Sequence, residues 1–68
     1  MYRIERLLEL INNAVEIEQY TNYERIAKEA GISIVALWKI RNKETSPTLK
    51  TANSIAYALE KLKNKKSI

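Results

Sequence analysis

A single glycine, Gly31, interrupts a 68-residue chain whose apolar residues recur at helical spacing on either side of it. Glycine adopts a left-handed backbone without a Cβ clash, so this position marks one sharp turn between two helices. Upstream of it, Thr21-Asn22-Tyr23-Glu24 reads as a capping box, with the Thr21 hydroxyl accepting from the Glu24 N–H and the Glu24 carboxylate reaching back. The helix it opens runs to about Ala30, with Ile26, Ala27 and Ala30 facing inward. Downstream, Ser33 is the expected N-cap of a further helix, Ile34 to about Arg41.

The flanks are helical as well. Ile4, Leu7, Leu8, Ile11, Ala14, Val15 and Ile17 make one apolar stripe, which predicts a single helix from Tyr2 to about Gln19 running through Asn12 and Asn13. Residues 42–46 are polar and read as a loop. Pro47 fits the first turn of the next helix, with Ser46 or Thr48 as its cap. In that helix Leu49, Ala52, Ile55, Ala56, Leu59 and Leu62 recur at intervals of three and four, before the pattern frays into lysines over 61–66. No stretch alternates as a strand would. The expected fold is all-α: one domain over 1–68, four helices, a helix-turn-helix at about 22–42 and a basic tail from about 61.

Composition removes several classes of function. There is no Cys and no His, and all eight acidic residues are Glu. Disulfides, ordinary zinc sites and Ca²⁺ loops are therefore excluded, and one glycine does not make a phosphate-cradling loop. Most nucleophile–base pairs lack their residues too, so a non-enzyme with no cofactor and no small-molecule ligand is expected. The longest apolar run, Ile34-Val35-Ala36-Leu37-Trp38, falls far short of the ~20 residues that cross a bilayer, and no signal-peptide core is present. That predicts a cytoplasmic or nucleoid location and no membrane partner.

The net charge of +4 is unevenly spread. Residues 1–31 carry four basic against six acidic residues, and residues 32–68 carry eight against two. An electropositive half is the footprint of a polyanion partner, although lysines also serve solubility.

The run Asn22-Tyr23-Glu24-Arg25-Ile26-Ala27-Lys28-Glu29-Ala30-Gly31-Ile32-Ser33 resembles the first half of the helix-turn-helix in lambda-repressor/Cro-like (XRE-type) regulators, small phage proteins among them. Ala27, Gly31 and Ile32 stand at that motif's fifth, ninth and tenth positions. The likeness continues through inward Leu37 and Ile40 to Ser46-Pro47-Thr48-Leu49, and it covers residues 21–62. Two positions depart from it. Tyr23 replaces a Gln that often reaches a phosphate, and Lys43 stands where a Gly usually follows the third helix, leaving Asn42 to supply a left-handed residue. A fifth helix, present in many members, is missing or reduced to the lysine-rich tail.

The resemblance implies a sequence-specific double-stranded DNA-binding transcriptional regulator, of repressor or Cro type, with residues 34–41 in the major groove. By position, Ile34, Val35 and Lys39 are the base-contact candidates: the first two against thymine methyls, Lys39 donating to guanine. Contact with the first helix or a dimer partner is the alternative for Ile34 and Val35. Tyr23, Ser33, Asn42, Lys43 and Thr45 are the candidates for phosphate contact. Tyr23 packing on the first helix is the rival reading there. Trp38 is expected to be partly buried with its indole N–H at the surface, or else to touch a phosphate itself. Lys61, Lys63, Lys65 and Lys66 form a solvated helix end or add phosphate contacts, and Arg3 and Arg6 pair with Glu a turn away. One recognition helix reads too little DNA for specificity in a genome, which implies a homodimer on a palindromic operator with half-sites roughly 34 Å apart. The dimer surface is expected on the fourth helix (Tyr57, Leu62, Ile68) or the first (Tyr2, Tyr20). The alternative from another class is the same scaffold used as a protein-binding module, such as an antitoxin, an antirepressor or an inhibitor of a host protein. An RNA-binding module lacks the aromatic stacking platform it would need.

Overall fold

In the computed structural model, which describes residues 4–66, the N-terminal apolar stripe winds as α1 (Ile4–Asn12) and then widens into a π-helical turn over Asn13–Ile17. The single α-helix expected as far as Gln19 therefore changes winding at the two asparagines. Both are weak helix formers, and Asn13 holds the wider turn from each end. Its carbonyl accepts from the Glu18 N–H at 2.7 Å, while its side-chain amide donates to Glu18 Oε2 at 2.8 Å. Wider winding turns each residue through a smaller angle. Ala14 stays in the core while Ile17, expected on the stripe, is 67% exposed. Gln19 ends the turn in the left-handed region, φ 54°. Tyr2 and Arg3 lie outside the described residues; Arg6 does meet Glu9, at 3.7 Å on the surface.

Helix α2 spans Tyr23–Ala30, and its N-cap is Asn22 rather than Thr21. Asn22 Oδ1 accepts from the Arg25 N–H at 2.9 Å, in keeping with the edge Asn holds over Thr at this position. The Thr21 hydroxyl oxygen is buried with no hydrogen-bond partner among the described residues.

Gly31, at φ 75°, ends α2 as expected. Its N–H donates to Lys28 O at 3.2 Å and the Ile32 N–H to Ala27 O at 3.0 Å, the paired bonds of a Schellman turn. Ser33 then caps α3 (Ile34–Arg41), its Oγ accepting from the Ala36 N–H at 3.1 Å. The same turn recurs at the end of α3, with the Lys43 N–H donating to Ile40 O and the Glu44 N–H to Lys39 O. Here Lys43 itself is left-handed, φ 63°, and Asn42 is not, at φ −85°. The reason lies in the ladder: the Asn42 N–H still makes an ordinary helical bond to Trp38 O at 2.9 Å, so the reversal falls one residue later.

Helix α4 (Leu49–Lys66) starts after Thr48, whose hydroxyl accepts from the Thr51 N–H at 3.2 Å. Pro47 thus precedes the cap instead of sitting in the first turn. The helix continues through the lysines expected to fray, and Lys61 and Lys63 reach Glu29 (2.7 Å) and Glu18 (3.9 Å).

The core is one cluster: Leu7, Ile11 and Ala14 from the N-terminal segment, Ile26 and Ala27 from α2, Leu37 and Ile40 from α3, and Ala52, Ile55, Leu59 and Leu62 from α4. Helix α4 packs against both α1 and α2, while α3 packs on α2. Leu49, expected in the stripe of α4, is 56% exposed, and Ala58 is buried in addition. Of the expected dimer residues, Leu62 belongs to this core and Tyr20 is half-buried, its hydroxyl donating to Leu59 O at 3.4 Å. Burial, and secondarily the Glu18 carboxylate, pushes the Tyr20 phenol above its ordinary range. Tyr57 is exposed, and Ile68 lies outside the described residues. Among the described residues no helix is long and apolar enough to cross a membrane.

Candidate nucleic-acid interface

Helix α3 turns Leu37 and Ile40 into the core and leaves Val35, Trp38, Lys39 and Arg41 exposed. Two of the three base-contact candidates, Val35 and Lys39, therefore stand on the open side. Ile34 does not stand free with them; it is half-buried against the core. It precedes Leu37 by three residues, so it shares that residue's inward side of the helix. What remains of Ile34 lines a shallow depression of about 480 Å³ with Asn22, Tyr23, Glu24 and Trp38.

The phosphate candidates fall into two groups. Asn42, Lys43 and Thr45 are exposed in the loop that wraps the C-terminal end of α3. That loop is drawn in by the Lys39 carbonyl, which accepts from the N–H groups of Glu44 (2.9 Å) and Thr45 (3.4 Å). Lys39, Asn42, Lys43 and Thr45 are thereby gathered at one end of the helix. Ser33 is exposed at the other end. Its oxygen is used in capping, but its hydroxyl proton stays available for donation.

Tyr23 is half-buried at the first position of α2 and belongs to a cluster that joins the two helices. Its ring centroid lies 4.6 Å from that of Trp38, tilted by 38°. The Arg41 guanidinium lies 5.3 Å from the Tyr23 ring and 5.6 Å from the Trp38 ring, within cation–π range of both. Arg41 Nε donates to the Tyr23 hydroxyl oxygen at 2.6 Å, and Arg41 Nη1 to Asn42 Oδ1 at 3.4 Å. Trp38 is 40% exposed, close to its expected partial burial. Sequence reasoning passed over Arg41. Its spacing of three from Trp38 was a visible signal, whereas the approach of Tyr23, eighteen positions earlier, is a product of the fold.

Lys39, Arg41 and Lys43 are exposed at and just beyond the C-terminal end of α3, followed by Glu44, and Glu24 borders the depression beside Ile34 and Trp38. The lysines of α4 are differently placed. Lys61 hydrogen-bonds Glu29, and that bond holds the Glu29 carboxyl below its ordinary range. Desolvation opposes this lowering, second in size to the bond itself, and the charges of Lys61, Lys65 and Lys28 each add a smaller lowering effect. The same bond raises the Lys61 ammonium above its usual value. Two lysines of the supposed tail thus serve contacts with α2 and with the end of the π-helical turn.

No family model matches the chain, and neither does any curated protein or solved structure.

Proposed function

We propose that this chain is a sequence-specific double-stranded DNA-binding transcriptional regulator of the lambda-repressor/Cro-like type, acting in the cytoplasm or on the nucleoid, with α3 in the major groove. The observation that carries this reading is the α2–turn–α3 unit. Two eight-residue helices are closed by left-handed Gly31, and one side of the second is exposed and flanked by cations. Val35 packs on a thymine methyl and Lys39 donates to a guanine edge, with Ile34 contributing only its uncovered side. Ser33, Asn42, Lys43 and Thr45 hold the backbone on either side, and Tyr23 adds its hydroxyl proton. The protein works by occupancy, with no catalysis and no cofactor, and as a homodimer on a palindromic operator.

One observation favours a different partner. Val35 is 57% exposed beside exposed Trp38, so the open side of α3 is partly apolar. A protein-binding module on the same scaffold, such as an antitoxin or an inhibitor, would use that surface. Selection of bound sequences from random duplex DNA at physiological salt separates the two. A palindromic motif supports the regulator, and the absence of any enriched motif favours the protein partner.

A further inference from the structure

We infer that Arg41 is a pre-positioned phosphate ligand, held by Tyr23 and Trp38 at the edge of the DNA-facing surface; the inference rests on the DNA-binding reading above.

Arg41 is exposed, yet it is held at three points. Its Nε donates to Tyr23 Oη at 2.6 Å, its guanidinium carbon lies within 6 Å of two ring centroids, and Nη1 reaches Asn42 Oδ1. An exposed arginine ordinarily loses rotamer freedom on binding an anion, and here much of that loss has already occurred on folding. No carboxylate pairs with Arg41 among the described residues. A guanidinium has five N–H donors. Two are committed to Tyr23 and Asn42, which leaves the Nη2 amino group and one Nη1 hydrogen for a doubly hydrogen-bonded anion such as a phosphodiester.

The Tyr23 hydroxyl oxygen accepts from Arg41, so its own proton is free to donate to the same phosphate. Tyr23 therefore acts both as a contact and as a positioning residue. The rings supply a second restraint, since the guanidinium lies within cation–π range of both and is attracted to each. Lys43 nearby has neither constraint, and its charge acts as a mobile point.

Trp38 is the chain's only tryptophan, so its emission reports on the guanidinium beside it. The experiment titrates the full chain with a short mixed-sequence DNA duplex across a sodium chloride series, reading Trp38 fluorescence together with an independent mobility measurement. Wild type is expected to bind with an emission change. Arg41→Gln should weaken binding, lower the log–log salt slope by about one and abolish most of the emission change. Tyr23→Phe, which keeps the ring and every charge, should weaken binding several-fold at an unchanged slope, as should Arg41→Lys. Circular dichroism checks that each variant is folded, and Tyr23→Phe carries the test if Arg41→Gln is not. Wild-type binding with an Arg41→Gln slope equal to it, or with Tyr23→Phe binding as tightly as wild type, overturns the inference and leaves the DNA-binding reading in place. No wild-type binding even at low salt overturns both.

Discussion

Across Gly31, the Ile32 N–H donates to the Ala27 carbonyl at 3.0 Å, tying the residue that closes the turn to the small buried residue of α2. Ala27 is 3% exposed and belongs to the same core cluster as Leu37 and Ile40 of α3. A larger side chain there must displace close-packed neighbours. Ala27→Leu is expected to destabilise the domain by about 1–3 kcal/mol, a large share of what so small a core supplies. Urea denaturation followed by circular dichroism measures it, and a loss below half a kilocalorie would mean that the junction is loosely packed.

Gly31 and Lys43 share a left-handed backbone but differ in side chain, which gives substitutions of opposite sign. A Cβ at Gly31 would meet nothing within 4 Å, so Gly31→Ala is opposed by backbone conformation alone, about 1–2 kcal/mol. Lys43 already bears that strain at φ 63°. Lys43→Gly should stabilise the fold by up to about 1 kcal/mol while weakening DNA binding at every sequence, since it removes a proposed phosphate contact. Thermal melting together with affinity on a sequence panel checks both halves.

The start of α2 offers a third pair. Asn22→Ala removes the cap that the Arg25 N–H uses and should cost about 1 kcal/mol. Thr21→Val replaces a buried, unpartnered hydroxyl by a methyl of the same shape and should be neutral or stabilising by up to about 1 kcal/mol. Were Thr21 the cap, the two outcomes would exchange.

These substitutions also mark where sequence reasoning reaches its limit. The turn at Gly31, the Ser33 cap and the inward Leu37 and Ile40 were legible because each follows from one residue's own preference or from a 3.6-residue period. The cap was assigned to Thr21 because Thr21 and Glu24 have capping-box spacing, but the neighbouring Asn22, also a good cap, takes the position. The π-helical turn was hidden because Asn12 and Asn13 leave the apolar spacing intact and alter only the winding. Left-handed Lys43 was missed because residue preference points to Asn42, and the end of the hydrogen-bond ladder decided otherwise. On α3, Val35 and Lys39 are exposed, as a base-contact candidate must be, and Ile34 is half-buried because its inward neighbour Leu37 lies three residues on. The Tyr23–Arg41 and Glu29–Lys61 contacts join residues eighteen or more positions apart and leave no local trace.

The Glu29–Lys61 pair sets a pH dependence. Glu29 has a folded pKa below its unfolded value, so its contribution is present at neutral pH and is lost as pH falls through the depressed folded value. Lys61 is raised, so its contribution is complete below the ordinary lysine value and is lost as pH rises through the higher folded one. Glu29→Gln should therefore melt below wild type at neutral pH, with the gap closing on acidification beneath the carboxylate range. A gap that did not change with pH would assign the effect to packing.

In the proposed complex the open side of α3 reads bases while the loop behind it holds phosphates. The most direct test selects bound sequences from random duplex DNA with wild type, Lys39→Ala and Lys43→Ala in parallel. A palindromic wild-type motif with half-sites about 34 Å apart is expected. Lys39→Ala should relax it at one position in each half, at about 1–3 kcal/mol, and Lys43→Ala should keep the motif with weaker binding throughout. No enriched wild-type motif, or the same response from both variants, would contradict the claim.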